Sequence, residues 1–186
     1  MNSFLFFKAT PPGEGASPGQ LEAGNYKKQH RRFQGLDISI ENPKGSVRSG
    51  VDRDGHAWRT KMTHAYGYIR GSLGVDGDHV DCYLGPEAEA PIAYIVHQRK
   101  AGKWDRYDED KVMLGFGSEE EAKRAYLDHY DDPRFLGPIT AMPMDEFKEK
   151  VLSTRERPRM IKAAVGFFRG KGREAGERTY KVSSRS

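Results

Sequence analysis

The chain has 186 residues, of which 36% are hydrophobic and 31% are charged, and its formal net charge is +4 at pH 7. This length allows one domain with a sizeable core, and the composition is typical of a soluble protein. No apolar run approaches the roughly 20 residues that span a bilayer, and the opening segment is too short for a secretory signal, so we expect a cytoplasmic protein without membrane contact. The single cysteine, Cys82, excludes an internal disulfide and is expected to be a core residue.

Positive charge is concentrated near the C-terminus, where residues 155–181 contain nine Lys or Arg and three Glu. A second basic patch covers residues 27–32. Such patches suit phosphate-rich partners such as nucleic acid, although a solvated tail has the same composition, and both interpretations stay open. Prolines and glycines mark residues 1–25 as a flexible leader. We therefore expect a folded domain over residues 26–153, followed by a basic extension over residues 154–186.

Alternating apolar and polar residues predict several short strands separated by turns. The strand segments are 36–40, 57–62, 65–69, 80–84, 92–96 and 111–116. Ser118 opens a Ser-Glu-Glu-Glu capping box and predicts a helix that ends before Pro133, and a second helix is expected over about residues 144–152. The order of elements indicates an α+β fold that is mainly β, with a small barrel of five to six strands flanked by helices.

Three carboxylates lie within six residues at Asp76, Asp78 and Asp81, directly before the apolar strand segment. Carboxylates so close together repel one another and raise one another's pKa unless positive charge compensates them. Mg²⁺ or Mn²⁺ supplies that charge and prefers hard oxygen ligands. The spacing therefore indicates a divalent metal site, although a solvated acidic loop fits the spacing equally well.

Three segments in order resemble the soluble family I inorganic pyrophosphatases over about residues 38–116. They are Tyr66-Gly67-Tyr68-Ile69, Asp76-Gly77-Asp78-His79-Val80-Asp81, and an acidic run that ends in Asp108-Glu109-Asp110-Lys111-Val112. The aspartate motif together with Lys-Val-Met-Leu-Gly-Phe at 111–116 is similar to the divergent pyrophosphatase-like domains of bacteriophage and prophage polyvalent proteins. The resemblance implies a barrel of the oligonucleotide-binding (OB) type and Mg²⁺-dependent hydrolysis of pyrophosphate to phosphate. For a phage-encoded protein it also implies the host bacterial cytoplasm.

The resemblance also implies roles for individual residues. Asp76 and Asp81 would be metal ligands, and Asp78 would orient or deprotonate the attacking water. Tyr66 would bind a phosphate oxygen, and Lys111 would neutralise the phosphate.

Other positions match the family less closely. Glu41 corresponds to the first acidic metal-binding residue. The second acidic cluster can be aligned in several ways between residues 105 and 110, and Asp105 and Asp108 rank first as metal ligands. Arg59 is the preferred phosphate-binding cation, with three competitors, Lys44, Arg48 and Arg53.

Two further matches are left open. The late Tyr-Lys pair of the family could be Tyr180-Lys181, or Tyr130, which is followed by Asp131 instead of lysine. His79 stands where a proline is usual, and a histidine there could change the rigidity of the loop or add a ligand. Strict specificity for pyrophosphate is therefore in doubt.

Two functions of different classes follow. The first is Mg²⁺-dependent hydrolysis of pyrophosphate or a related phosphoanhydride, with Mn²⁺ as a substitute ion. The second is a non-catalytic phage accessory or structural module that binds nucleic acid or protein through its basic tail. Retention of the three aspartates, Tyr66 and Lys111 favours the enzyme, because unpaired buried carboxylates are costly to keep. The true substrate and homo-oligomer formation are left open by the sequence.

Overall fold

The computed structural model describes residues 28–52 and 55–162, so the expected leader and most of the basic extension lie outside the described residues. Within these two ranges the chain forms nine strands, two α-helices and one 3-10 helix, which covers Pro133–Phe135. The strands are β1 (Gln29–Phe33), β2 (Leu36–Asn42), β3 (Val47–Val51), β4 (Ala57–Lys61), β5 (Ala65–Ile69), β6 (Asp81–Leu84), β7 (Ile92–Lys100), β8 (Lys103–Leu114) and β9 (Ile139–Pro143). The α-helices are α1 (Glu119–Leu127) and α2 (Met144–Ser153).

Seven of these strands form one curled sheet in the order β1-β2-β5-β6-β8-β7-β9, and β3 and β4 form a separate hairpin. Strands β6 and β8 pair in parallel, whereas the other neighbours in the sheet are antiparallel. The mainly β, α+β class is confirmed, but the expected count of five to six strands was wrong. Strand β1 was missed because its sequence, Gln-His-Arg-Arg-Phe, is polar and gives no alternation of apolar residues.

Each face of the sheet carries one hydrophobic cluster and one helix. Helix α2 buries Phe147 and Val151 against a cluster that contains Cys82, which is fully buried as expected. Helix α1 buries Ala122 and Tyr126 against the cluster on the other face. None of the helices among the described residues has the length and apolar character needed to cross a bilayer.

The predicted capping box is present at the start of α1. The backbone N–H of Glu121 donates to Ser118 Oγ at 3.2 Å, and the Glu121 carboxylate accepts from the backbone N–H of Gly117 at 3.0 Å. The first bond satisfies a donor that the first turn of a helix leaves without a partner, and the second ties Glu121 to the residue before the N-cap. This helix therefore begins where the sequence places it.

Gly67 in β5 is required by a close approach of the backbone. A Cβ atom at this position would lie 2.0 Å from the carbonyl oxygen of Ser39 in the neighbouring strand β2. Gly67 therefore lets β2 and β5 pack closely together. Because side chains alternate along a strand, Tyr66 and Tyr68 point to the other face of the sheet.

We expect Gly67→Ala to lower the free energy of unfolding by about 2–3 kcal/mol, because the added methyl group overlaps a backbone atom that cannot move alone. Urea unfolding followed by circular dichroism measures the loss. Gly45→Ala is the matched control, since its Cβ would have nothing within 4 Å and only the positive φ of 89° opposes it. That control should lose only about 1–2 kcal/mol. Equal losses in the two variants would contradict the role of the close approach.

Candidate active site

Lys111 in β8 is a buried cation held by three polar groups. Its side chain is only 5% exposed, and its ammonium donates to the carboxylate of Asp81. It also lies 2.9 Å from Glu109 Oε2 and 3.3 Å from the hydroxyl of Tyr66. The parallel register of β6 and β8 pairs Asp81 directly with Lys111, so the fold itself brings two of the predicted site residues together.

The electrostatics of this cluster keep Lys111 charged. Burial by itself lowers the pKa of Lys111, but the negative charges of Asp81 and Glu109 outweigh burial and hold the pKa well above its usual value. Burial and the charge of Asp81 raise the pKa of Tyr66, whose hydroxyl donates to Asp81 Oδ2 at 2.5 Å. Lys111 and Tyr66 are therefore fixed donors at neutral pH.

Negative charge exceeds positive charge on the loop side of Lys111. Burial raises the pKa of Glu109, and the carboxylates of Asp81 and Asp76 raise it further, while Lys111 acts in the opposite sense. Glu109 thus lies within electrostatic range of two further carboxylates, and the cations beside them are the ammonium of Lys111 and the guanidinium of Arg48. Such a cluster favours a further cation.

Asp76 and Asp78 lie on the exposed loop before β6. The backbone N–H of Asp78 donates to Asp76 Oδ1 at 3.2 Å, and Gly77 between them has a φ of 93° that favours glycine. The carboxylate of Asp78 makes no hydrogen bond or ion pair with any residue that the structure describes. Both of its oxygens are therefore open to water.

A β-bulge decides which residues of β8 reach this cluster. His97 of β7 pairs with Asp110 and Arg99 pairs with Tyr107, so two steps along β7 correspond to three steps along β8. The extra residue breaks the alternation of side chains between Tyr107 and Glu109. The ring centre of Tyr107 lies 6.3 Å from the ring centre of His97, which is bonded to Asp110, so Tyr107 shares the Asp110 side of the strand and not the Lys111 side.

The two carboxylates that ranked first in the acidic cluster are not brought to Lys111. Asp105 is exposed beyond the bulge, and Asp108 lies 3.7 Å from Lys100 Nζ at the strand surface. Glu109 contacts Lys111 instead. From the sequence, Glu109 was only one of several alternatives in the second acidic cluster. It stands two residues before Lys111, and this spacing, which puts two strand residues on one face, could have ranked it first.

Asp110 faces away from the cluster and holds other parts of the chain. His97 Nδ1 donates to Asp110 Oδ1 at 2.6 Å, and the backbone N–H of Ile161 donates to Asp110 Oδ2 at 2.7 Å. Ile161 and Thr154 are both buried, so the chain after α2 lies against the sheet. The division into leader, domain and extension stays a prediction.

The arginines of the β3–β4 hairpin point to opposite faces. Arg48 pairs with Thr60 and Ser49 pairs with Arg59, and because side chains alternate along each strand, Arg48 and Arg59 cannot share a face. The guanidinium of Arg48 lies 4.6 Å from the ring centre of Tyr66, whereas Arg59 is exposed. Of the two, the structure brings only Arg48 to the cluster.

The remaining candidates are dispersed. Glu41 pairs with Lys28 at 2.7 Å on the surface of β2. Lys44 is exposed. Arg53 and the pair Tyr180-Lys181 lie outside the described residues.

Gln98 in β7 joins the cluster to Tyr126 of α1 and to Tyr130 after it, and no pattern in the sequence indicated this residue. Its Oε1 accepts from the hydroxyls of Tyr126 at 2.8 Å and Tyr130 at 2.7 Å, and its Nε2 donates to Glu109 Oε1 at 3.1 Å. Gln98 therefore positions Glu109 and brings Tyr130, one of the predicted alternatives, to the edge of the site.

The donor chemistry of the site fits Mg²⁺. Within residues 28–52 and 55–162, no three carboxylate, imidazole or thiol side chains meet closely enough to hold a metal ion by themselves. Mg²⁺, however, usually keeps several waters and is bound by one or two carboxylates together with substrate phosphates. Tyr66 and Lys111 both donate to Oδ2 of Asp81, so Oδ1 of that carboxylate takes part in neither bond. Asp81, Glu109 and Asp76 thus offer hard oxygen donors with excess negative charge.

Comparison with known proteins identifies the family. A family model described as inorganic pyrophosphatase matches residues 18–152. This match covers more than half of the chain, so the chain belongs to the inorganic pyrophosphatase family. No curated protein matches the chain.

We expect Gln98→Leu to lower the free energy of unfolding by about 3 kcal/mol, because the buried hydroxyl of Tyr126, the half-buried hydroxyl of Tyr130 and the half-buried carboxylate of Glu109 each lose a partner. Urea unfolding measures the change. Gln29→Leu, an exposed position in β1, is the matched control and should change stability by less than about 0.5 kcal/mol. A loss in Gln98→Leu no larger than that of the control would show that the network contributes nothing to stability.

Proposed function

We propose that this protein hydrolyses pyrophosphate, or a related phosphoanhydride, to phosphate with the help of Mg²⁺, for which Mn²⁺ can substitute. The observation that supports the proposal is the convergence of Lys111, Tyr66, Asp81 and Glu109 in a chain of the inorganic pyrophosphatase family. A charged lysine and a phenol donor beside excess carboxylates suit a substrate that arrives as a metal–phosphate complex.

The residues of the cluster divide into donors to the substrate and ligands of the ion. Lys111, Tyr66 and the guanidinium of Arg48 would donate to phosphate oxygens, because all three are protonated and lie on one side of Asp81. Asp78, with both oxygens free, would accept a proton from the attacking water or orient it.

The ion would be held by one or two of the carboxylates of Asp76, Asp81 and Glu109, with waters and the substrate phosphates as its other ligands. Bound Mg²⁺ would lower the pKa of water and neutralise charge that develops on the phosphoryl oxygens. Glu109 replaces Asp105 and Asp108 as our first choice in the second acidic cluster, and a role for Glu41 stays a prediction.

The finer expectations of the resemblance are part of the same proposal. They are an OB-type barrel, a place among the divergent phage and prophage proteins, and action in the host bacterial cytoplasm. The alternative of a non-catalytic module that binds nucleic acid through its basic tail depends on residues that lie mostly outside the described part of the chain.

We expect the purified protein to release phosphate from pyrophosphate with Mg²⁺ or Mn²⁺ and not with EDTA. Asp78→Asn should fold normally and lose at least about 100-fold in turnover, because it removes the group that acts on water but little packing. A colorimetric phosphate assay measures both.

Glu89→Gln is the control for the loss of one exposed carboxylate, and it should retain full turnover. No phosphate release from pyrophosphate by folded protein with either ion would overturn pyrophosphate as the substrate and favour another phosphoanhydride or the binding module.

A matched pair of variants tests the second acidic cluster. Glu109→Gln should reduce kcat/KM at least about tenfold and raise the Mg²⁺ concentration needed for half-maximal rate, since it removes a charge next to Lys111 and Asp81. Asp105→Asn should leave both quantities nearly unchanged, because Asp105 is exposed beyond the bulge. Titrations of rate against Mg²⁺ distinguish them, and the reverse result would restore Asp105 as the ligand.

A further inference from the structure

The aspartate loop, residues 70–80, connects β5 to β6 and carries Asp76 and Asp78. A cleft of about 430 Å³ lies where this loop meets the end of α2. Six residues line it: Arg70, Gly71, Ser72, Leu73, His79 and Arg155. Its volume falls in the range of small-molecule sites, about 300–1,000 Å³. None of the site residues Asp81, Glu109, Lys111 and Tyr66 takes part in this lining, so the cleft is separate from the candidate active site.

The lining carries positive charge without compensation. Among the described residues, the guanidinium groups of Arg70 and Arg155 make no hydrogen bond and no ion pair. No carboxylate belongs to the lining. Two like charges that share one cleft repel each other, and a bound anion would relieve that repulsion.

The wall of the cleft is held in place by hydrogen bonds. Ser72 Oγ donates to the carbonyl of Ile69 at 2.6 Å and accepts from the backbone N–H of Val80 at 2.9 Å. The backbone N–H of Leu73 donates to Thr154 Oγ1 at 3.0 Å, which ties the loop to the end of α2 next to Arg155. The backbone of the wall is thus fixed, and the guanidinium groups of Arg70 and Arg155 extend from it as exposed side chains.

His79 contributes a polar group to the cleft from the aspartate loop itself. Its Nδ1 donates to the carbonyl of Ser72 at 2.7 Å, and its ring stacks on Tyr68 with 4.8 Å between ring centres. Because Nδ1 is the donor in this bond, Nε2 of the neutral ring is an acceptor, which can receive a hydrogen bond from a ligand hydroxyl but cannot donate to an oxyanion. His79, whose role the family resemblance left open, therefore forms part of the wall of this cleft.

We propose that this cleft binds a phosphate group, either as free orthophosphate or as the terminal phosphates of a nucleotide, through Arg70 and Arg155. Guanidinium groups bind phosphate oxygens with paired, charge-assisted hydrogen bonds, and two of them on one cleft favour a doubly charged oxyanion over chloride. The proposal requires no hydrolysis and holds whether or not the candidate active site is catalytic.

The test is a titration of ¹⁵N-labelled protein in EDTA with orthophosphate and, separately, with a nucleoside triphosphate, followed by amide chemical shifts. We expect saturable shifts at Gly71 and Leu73. Arg70→Gln combined with Arg155→Gln should weaken this binding at least about tenfold, because it removes the charge-assisted bonds. Amides near Lys111 report on the candidate active site in the same spectra, so failure at one site is distinguished from failure at the other.

Arg106→Gln combined with Arg124→Gln is the control, since it removes the same charge from exposed positions elsewhere and should change the affinity by less than about twofold. Comparison of the two affinities shows whether the cleft prefers free orthophosphate or the phosphates of a nucleotide. Absence of shifts at Gly71 and Leu73 with both ligands, or equal weakening in the two double variants, would overturn the proposal. A third titration uses a short oligothymidylate. If this ligand alone shifted the amides of Gly71 and Leu73, the proposal would be overturned in favour of a nucleic-acid surface.

Discussion

The buried ammonium of Lys111 is the constraint on which the rest of the site depends. An isolated charge in a protein interior is costly, so a lysine with a 5% exposed side chain requires carboxylates within contact distance. Asp81 meets this need because β6 and β8 run in parallel and pair these two residues directly. Glu109 meets it because it stands two residues earlier on β8. The charge balance of the site therefore depends on the register in which β6 and β8 pair.

The bulge in β8 determines which carboxylates of the acidic run lie beside Lys111. With unbroken alternation, Asp105, Tyr107, Glu109 and Lys111 would all share one face. The extra residue between Tyr107 and Asp110 turns the earlier residues away, and Gln98 stands opposite the irregular stretch with its amide bonded to Glu109. Bulges occur often beside active sites because they redirect a side chain. Here the bulge separates one carboxylate of the acidic run from its neighbours.

These two features explain what the sequence could and could not predict. Local patterns sufficed for the strands around Tyr66 and Lys111 and for helix α1, because alternation and capping depend on adjacent residues. The bulge depends on how β7 pairs with β8, so the sequence alone could not show that Glu109 is the acidic residue of this run that contacts Lys111. The preference for Arg59 over Arg48 also depends on pairing, because only the hairpin register reveals their faces.

The aspartate loop differs from the buried cluster in how it is supported. Lys111, Asp81 and Glu109 hold one another in place, whereas Asp76 and Asp78 are exposed, and the one hydrogen bond that their carboxylates make among the described residues runs from the Asp78 N–H to Asp76. Mg²⁺ keeps much of its water, so carboxylates that reach it through an open loop need less preorganisation than donors that bind phosphate directly. The opposite side of that loop is fixed by Ser72 and Thr154. An anion held there by Arg70 and Arg155 would lie next to the backbone that carries Asp78, because His79, the next residue along the chain, belongs to the lining of the cleft.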